Sequence, residues 1–460
     1  MRSNGIRGLG QRWALLVLIG FLPNAVVEAQ EGLEASAAAQ TTDSLGQPEN
    51  STWKPRWLSK KEGFRLTIKS MVQLWSIYST DFEIYNSSTG AYERVDDRFN
   101  VSLRRARLAF SGEPYPRLQY TVMLFYDQIG RDVLSSGIGV TNKADPSVGI
   151  WDAFFQWKAL LKSEALNIVA GWFRPQLQRE SITSGWSVNS FEKSMSQSYV
   201  RNHLVGTGLG RAAGINIGGL INRDHLGFNY NIGVFTPATT ALNGSSSGKK
   251  FSPLITGRAV LTIGDPESRQ YSISYDINYF NQRKGLSLDF NAAVQGKSDQ
   301  FESSSTFGPG FLLNYGPLNL DGEWMWMSRS GREELPEQEV RNFTSKTSTG
   351  HIRAGVNIPV GRFVLEPIVM MMHFEGAHDA AGQADAAVLK NSSGNETTYE
   401  VGINYYLDQK RLKLMLHYTF REGDPGAAGD GATVNQYFSQ SGVGAIRRGN
   451  WLGLGMNAIF

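Results

Sequence analysis

The 460 residues carry 45 Lys and Arg against 42 Asp and Glu, with 6 His and no cysteine. Disulfides and thiolate metal sites are thereby excluded, and the near-neutral balance argues against a bulk polyanion such as nucleic acid as partner. Aromatic residues reach 11 % and glycines number 50, while the apolar fraction is 41 %, low for a globular core but suited to strands with lipid on one side and water on the other.

In chain order, Arg2, Arg7 and Arg12 surround the approach to the apolar run 13–22, and Val27, Glu28 and Ala29 form a small-residue cleavage site. Residues 1–29 therefore read as a secretory signal peptide. Its removal leaves 42 basic and 41 acidic residues, a net charge of +1. No other apolar stretch approaches the roughly 18 residues that a membrane-spanning helix requires. Residues 30–62 are polar, rich in Ala and Ser and interrupted by Pro48 and Pro55, the composition of a flexible periplasmic lead-in.

From Phe64 the apolar pattern takes a period of two. Phe64, Leu66, Ile68, Val72, Leu74 and Tyr78 share one face, and Arg65, Thr67, Lys69 and Gln73 share the other. The dyad recurs with Leu118, Tyr120, Val122, Leu124 and Tyr126, with Leu286, Leu288, Phe290, Ala292 and Val294, and with Leu412, Leu414, Leu416, Tyr418 and Phe420. Such rows, with aromatics at their ends, predict strands of an all-β transmembrane antiparallel barrel spanning 63–460. Sixteen segments fit: 63–78, 98–110, 116–127, 149–159, 166–173, 205–220, 226–236, 252–264, 285–297, 306–315, 317–328, 347–358, 362–375, 397–407, 411–421 and 446–460.

Their connections alternate long and short. The long ones (79–97, 128–148, 174–204, 329–346, 376–396 and 422–445) are expected outside the cell, and short ones such as SGEPY, YGP, PVGR and DQKR in the periplasm. Residues 269–281 also alternate, through Tyr271, Ile273, Tyr275, Ile277 and Tyr279. Counting them would give an odd strand total and put every later long loop in the periplasm, so 264–285 is expected to be an extended periplasmic connection. The row Leu452, Leu454, Met456, Ala458 and Phe460 predicts a last strand that pairs with the first, because an open edge in lipid leaves backbone groups unsatisfied at several kcal/mol each.

Motifs for chemistry are weak. GTGLGRAAG (206–214) lacks the spacing and downstream acid of a dinucleotide fingerprint, and small residues on the lumen side of a strand explain it better. His373, Glu375 and His378 lack the helical two-histidine spacing of a zinc hydrolase and read as solvated loop side chains. Asp96 with Asp97, and Glu333 with Glu334, fall in expected loops without the pairing of an acid and a base. No cofactor, metal or enzymatic activity is expected.

The inward rows carry the signal. Arg65, Lys69, Arg117, Lys158, Arg258, Arg353, Lys413, His417 and Arg421 alternate with lipid-facing residues and should project into the lumen. In the run Arg104, Arg105, Ala106 and Arg107 the register of Phe99, Val101 and Leu103 gives way to that of Leu108 and Phe110, so a bulge lies between, and either register turns at least one arginine inward. Basic groups around a pore favour small anions. Asp152, Asp289, Asp321, Glu323 and Glu400 also point inward, as a polar interior alone would require. Inward Trp75, Tyr406 and Trp451 support the alternative of a weakly selective diffusion or oligosaccharide pore. A soluble carbohydrate-binding or hydrolytic β-protein would need catalytic carboxylates and an apolar interior, the reverse of these rows.

RRARLAFSG, VAGWFRPQL with Pro175 and Glu180, SFEKS (190–194), FNYNIGVFT (228–236), YEVGINYYLDQKRLKLMLHYTF (399–420) and the terminal Phe460 together resemble the phosphate-selective porins O and P of Gram-negative outer membranes. The resemblance implies a sixteen-stranded barrel, a homotrimer in outer-membrane lipid and lipopolysaccharide, and a third external loop, here 174–204, folded into the lumen. It implies that Arg174, Arg179, Lys193 and Arg201 join Arg105 and Arg107 at a narrowing that takes phosphate or another oxyanion, and that Phe460 is read by the barrel-assembly machinery. Lys193 stands where the family element has arginine, and Gln176 where it has an aromatic residue.

Overall fold

The computed structural model describes residues 65–137, 148–206, 208–237, 252–334, 340–429 and 435–460, so the expected signal peptide and lead-in lie outside the described residues. Sixteen antiparallel strands form one closed sheet: β1 Arg65–Ser79, β2 Arg98–Tyr115, β3 Leu118–Tyr126, β4 Val148–Lys158, β5 Asn167–Phe173, β6 Ala212–Arg223, β7 Leu226–Thr236 and β8 Leu254–Gly264, then β9 Lys284–Gln295, β10 Ser303–Tyr315, β11 Leu318–Glu334, β12 Val340–Val356, β13 Phe363–Glu375, β14 Asn395–Asp408, β15 Leu412–Asp424 and β16 Trp451–Ile459. Ile358–Val360 continues β12 along β13. Each expected strand is present, and each strand pairs with its sequence neighbour.

Closure follows from the row of alternating residues in β16. Met71 to Ser79 of β1 pair with Ile459 to Trp451, and the Ser70 and Phe460 backbones exchange hydrogen bonds of 3.0 and 2.8 Å beyond the last strand pair. No strand edge is left to lipid there. Leu452, Leu454 and Met456 face outward with Phe460, while Trp451 and Asn457 are buried inside. Inward Gly453 and Gly455 leave room for the Phe191 ring, which a Cβ would meet at 2.6 and 3.1 Å.

The outward rows are apolar all round the barrel. Ile215, Val234, Phe290, Val369 and Leu416 are exposed on it, with Tyr78 and Tyr126 at the long-loop end and Tyr115, Trp157 and Tyr315 at the short-turn end. This is a lipid-facing band with aromatic margins.

Four boundaries differ from expectation. Strands β11 and β12 run on past residues 329–346 as a hairpin, because Ser328 to Glu334 and Lys346 to Val340 keep pairing. Residues 205–211 precede β6 and belong to the loop, where Gly206, Gly208 and Gly210 take φ of 75, 130 and 70°, a run of positive angles that turns the chain. These glycines therefore turn the chain and do not lie on a strand. Loop 80–97 contains a hairpin, Glu83–Asn86 with Ala91–Arg94, which pairs with Gly444–Arg447, itself joined to Ser439–Gln440. Residues 446–450 accordingly lie ahead of β16.

Among the described residues, two connections run into the lumen. From the long-loop end comes 174–211, with helices α1 Arg179–Ile182 and α2 Ser196–Val205, buried along nearly its whole length. From the short-turn end comes 265–283, which makes no barrel strand. A third helix, α3 Ala380–Val388, lies in the loop after β13, capped by the Asp379 side chain on the Gly382 N–H at 2.8 Å.

Placing a charge on the outward row tests the lipid-facing band. Leu416→Arg should lower the stability of the refolded barrel in bilayers by about 2–4 kcal/mol, read from the urea dependence of folding, because an arginine at that depth meets hydrocarbon.

Candidate functional site

The site begins with a bulge. Gln73 pairs with Arg105 and Leu74 with Leu103, so Arg104 is the extra residue of β2. The bulge re-aims the strand, and Arg104, Arg105 and Arg107 are all buried on the lumen side. A second bulge in β4 skips Trp151, between Met123–Asp152 and Leu124–Ile150 pairs. The Trp151 ring lies 3.5 Å from the Arg107 guanidinium and 3.8 Å from that of Arg211, a cation–π contact with each.

Across from these arginines runs loop 174–211, and each residue of its SFEKS element is anchored. Ser190 Oγ accepts from Arg353 at 2.7 Å. The Phe191 N–H donates to Glu400 at 2.8 Å, and its ring sits 4.8 Å from Trp75 and 4.9 Å from Trp451. Glu192 takes Arg104 at 2.8 Å and Arg105 at 2.5 Å, and Arg105 also donates to Gln73. Lys193 Nζ donates to the carbonyls of Glu180 and Ser181 at 2.6 and 2.9 Å, and the Ser194 N–H donates to Glu180 at 2.6 Å. Upstream, Val188 and Asn189 carbonyls accept from Lys413 and Asn404.

Charge in this region is unevenly matched. Arg104, Arg105, Arg107, Arg174, Lys193, Arg201 and Arg211 act on one another, facing the carboxylates of Asp127, Asp152 and Glu192. Asp127 holds Arg107 at 2.7 Å, and Asp152 holds Arg211 at 3.1 Å. Burial pushes the Glu192 carboxyl up, but Arg104 and Arg105 outweigh it and hold it at about 2. Arg174 reaches only the Thr183 carbonyl, at 3.5 Å, and Arg201 has no hydrogen bond or ion pair among the described residues. Burial, with Arg211 alongside, pulls Arg174 well below its ordinary value, and burial with Arg211 and Arg104 brings Arg201 down to about 9. Nε atoms of both are left without acceptors. Guanidinium donors left without acceptors can form charge-assisted hydrogen bonds to an oxyanion.

The other expected path residues have different positions. Lys69 is exposed in the short-turn mouth of the lumen, and Arg65 is on β1, opposite Glu113. Arg117 is not on the strand: it lies in the turn after β2 with φ 73° and donates to the Ala159 carbonyl of the next turn at 3.2 Å, because β2 and β3 meet there in a tight hairpin. Arg353, Arg179, Arg258 and Lys413 are inward but enclosed. Arg353 bonds Glu180 and Asp321, each at 2.8 Å; Arg179 holds Glu267 through two bonds of 2.7 Å; Arg258 lies 3.8 Å from Asp289; Lys413 is spent on the Val188 carbonyl. Arg421 donates to the Ser136 carbonyl at 2.8 Å.

Asp152, Asp289, Asp321, Glu323 and Glu400 all face inward, as the alternation requires. Inward Trp75 and Trp451 enclose Phe191, and Tyr406 meets Phe280 edge-on at 5.0 Å, so none is an open platform for a sugar. Arg211, Trp151 and Glu192 were missed by the alternation argument, and Asp127, which falls on the polar row with Gln119 and Thr121, was not counted among the site residues. The parity switch between Ile150 and Phe155, both outward, carries the readable sign of the bulge that brings Trp151 in.

Among the described residues, Glu180, Asp321 and His351 approach as three metal-type ligands within 4.8 Å. The Arg353 guanidinium already supplies the cation there. His373, Glu375 and His378 do not converge, and His373 Nδ1 is instead 2.8 Å from the Thr397 hydroxyl.

The family model of phosphate-selective porin O and P matches residues 73–429. Among solved structures, the chain is similar to Salmonella typhi OmpF, determined in complex with daunomycin, with 12% identity over 86% of this chain and 98% of that one at a TM-score of 0.52. It is similar as well to the outer membrane channel DcaP of Acinetobacter baumannii, with 13% identity over 87% of this chain and 99% of that one at a TM-score of 0.50. These likenesses show the fold. No curated protein sequence matches the chain.

Two outcomes follow from the anchoring. Arg353→Ala should cost about 3–5 kcal/mol by leaving Glu180 and Asp321 uncompensated, seen as a lower urea midpoint and as protease cleavage within 174–211. The Glu192 ion pairs contribute fully above the free carboxyl value of roughly 4.3 and are lost as pH falls toward about 2, so amide exchange across SFEKS should accelerate in that window.

Proposed function

The chain belongs to the phosphate-selective porin O and P family, and from this premise we propose that it is an outer-membrane channel for passive uptake of small anions, with phosphate or another oxyanion as the preferred solute. The chain is a Gram-negative outer-membrane channel by family and fold. The observation that carries the anion preference is the pair of guanidiniums without an ion pair among the described residues, half-buried Arg174 and buried Arg201, set opposite the β2 arginines. An oxyanion passing between them exchanges hydration for charge-assisted hydrogen bonds. Arg104, Arg105 and Arg107 form the wall side of the narrowing, with Arg211 stacked on Trp151 beside them.

The enclosed bases have a different part in this reading. Arg179, Arg258, Arg353 and Lys413 seat the loop that makes the narrowing, while Lys69 at the periplasmic mouth and Arg421 at the outer one add to the field along the path. Residues 1–29 serve as the export signal, Phe460 is offered to the assembly machinery, and the barrel works as a homotrimer among outer-membrane lipid and lipopolysaccharide. The oligosaccharide alternative loses its support, since the inward aromatics it would use are packed against Phe191 and Phe280.

The test is the zero-current potential of the refolded protein in a planar bilayer under a KCl gradient, with phosphate competing for chloride conductance. A strongly anion-selective potential with phosphate block is expected. Arg105→Ala with Arg107→Ala should reduce that selectivity, whereas Glu192→Gln should raise it by removing a negative charge from the narrowing. A potential near zero in the native channel would defeat the anion reading.

A further inference from the structure

The connection 265–283 lies at the periplasmic end, where turns are short, and yet it folds up into the lumen. Its anchors run around most of the barrel. The Tyr271 hydroxyl meets Asn216 and Asn231 at 2.8 and 2.6 Å, inside β6 and β7, and a Cβ at Gly218 would strike that hydroxyl at 2.3 Å. Tyr275 reaches Asn229 at 3.1 Å, and Asn314 donates to the Ile277 carbonyl at 3.0 Å. Asn278 donates to Glu366 at 3.0 Å, and Asp276 takes Lys410 at 2.7 Å beyond β14.

The same strap holds the loop that enters from outside. Arg179 of α1 grips Glu267 with two bonds, Gln176 donates to the Ile273 carbonyl at 3.2 Å, and Thr183 forms a parallel bridge with Tyr275. Burial holds the Glu267 carboxyl up, but Arg179 outweighs it and brings it to about 2, so the grip persists at neutral pH.

Solvent access divides accordingly. Inward residues from β6 to β16, such as Asn216, Asn314, Glu366 and Asn457, are buried beneath the loop and the strap. Below Met71 and Ala109, which the loop's Trp186 covers, inward residues toward the periplasmic ends of β1 to β4 are open or half-open: Lys69, Ser111, Gln119, Thr121, Phe154 and Gln156. On the strap, Ser272 and Ile273 are half-buried and Ser274 is exposed, and Gln156 reaches across to the Tyr271 carbonyl at 3.5 Å.

We infer that 265–283 is the opposing wall of the pore's periplasmic half, a fixed strap that presses the solute path into a slot against β1–β4 and sets a second size limit in series with the narrowing at loop 174–211. The inference rests on the chain's being a channel and not on the sign of the ion it prefers. Solutes must pass the arginines and then a slot of mixed polar lining, so compact solutes pass and bulky ones are stopped even where the outer narrowing admits them.

Two variants test it in single-channel recordings. In the first, residues 266–283 are replaced by Asn-Gly, a two-residue turn between Asp265 and Lys284 that keeps the Gly264–Gly285 pairing. Conductance should rise by about twofold or more, and neutral polyethylene glycols shut out of the native channel should enter from the periplasmic side. In the second, Ser274→Cys in this cysteine-free chain is treated from the periplasmic side with a methanethiosulfonate bearing a trimethylammonium group, which should cut conductance in steps. The second variant disturbs no anchor and decides the matter if the first does not fold. Unchanged conductance and polymer limit on excision, failure of the thiol to react, or complete labelling without effect on current would each overturn the strap. These readouts report width whichever way the zero-current potential falls, so the anion reading and the strap can fail separately.

Discussion

A segment that leaves a sheet and enters a barrel lumen gives up water, and each charge and backbone group it buries must find a partner on the wall. Arg353 bears the heaviest part of that constraint. It is 1 % exposed, and its guanidinium joins Glu180 of the incoming loop to Asp321 of β11 while also donating to Ser190. Glu366 does a similar service with no salt bridge among the described residues: Asn189 of the loop, Asn278 of the strap, Asn319, Asn404 and Tyr406 all donate to its two oxygens. Five neutral donors disperse the charge of that buried carboxylate and tie three layers of chain together. The loop and the strap are rigid because the wall supplies these partners.

The same bookkeeping decides where the lumen is electrically active. A net charge of +1 for the expected mature chain says little, since fields depend on which charges remain unmatched. On the β8–β13 side, Arg179, Arg258 and Arg353 lie within reach of Glu267, Asp289, Asp321 and Glu180, and the positive and negative groups cancel at short range. On the β2 side, three adjacent arginines share two carboxylates, and the loop adds Arg174 and Arg201 with no ion partner. The surplus is local, between β2 and loop 174–211.

Breaks in the alternation are the places where function is written. Arg104 and Trp151 are the extra residues of two bulges, and each bulge turns two successive side chains to the lumen, Arg104 with Arg105 and Trp151 with Asp152, where strict period two would have sent one of them to lipid. Gly453 and Gly455 interrupt an inward row because Phe191 occupies the space their side chains would take. The strap was legible only by elimination: 269–281 alternates as well as a true strand, but the antiparallel count forbade it from spanning. Its tyrosines and asparagines serve the interior of the barrel instead. Arg117 was misplaced because alternation continues into a turn where the backbone no longer does.

The amino-acid sequence by itself determined the barrel. Period two fixes which residues face lipid, the alternation of loop lengths fixes direction, and closure in a medium without water fixes that the first and last strands must meet. All of these are local or counting constraints, and they need no knowledge of distance across the lumen. What the tertiary structure alone decided is which inward charges meet. Arg353 and Glu180 are separated by 173 residues, Arg105 and Glu192 by 87, and Arg179 and Glu267 by 88. Pairing across such intervals depends on where a loop and a strap come to rest inside a cylinder, and no repeat along the chain records it. Arginines that look alike in the sequence thus divide into those paired with carboxylates at short range and those, such as Arg201, without an ion pair among the described residues.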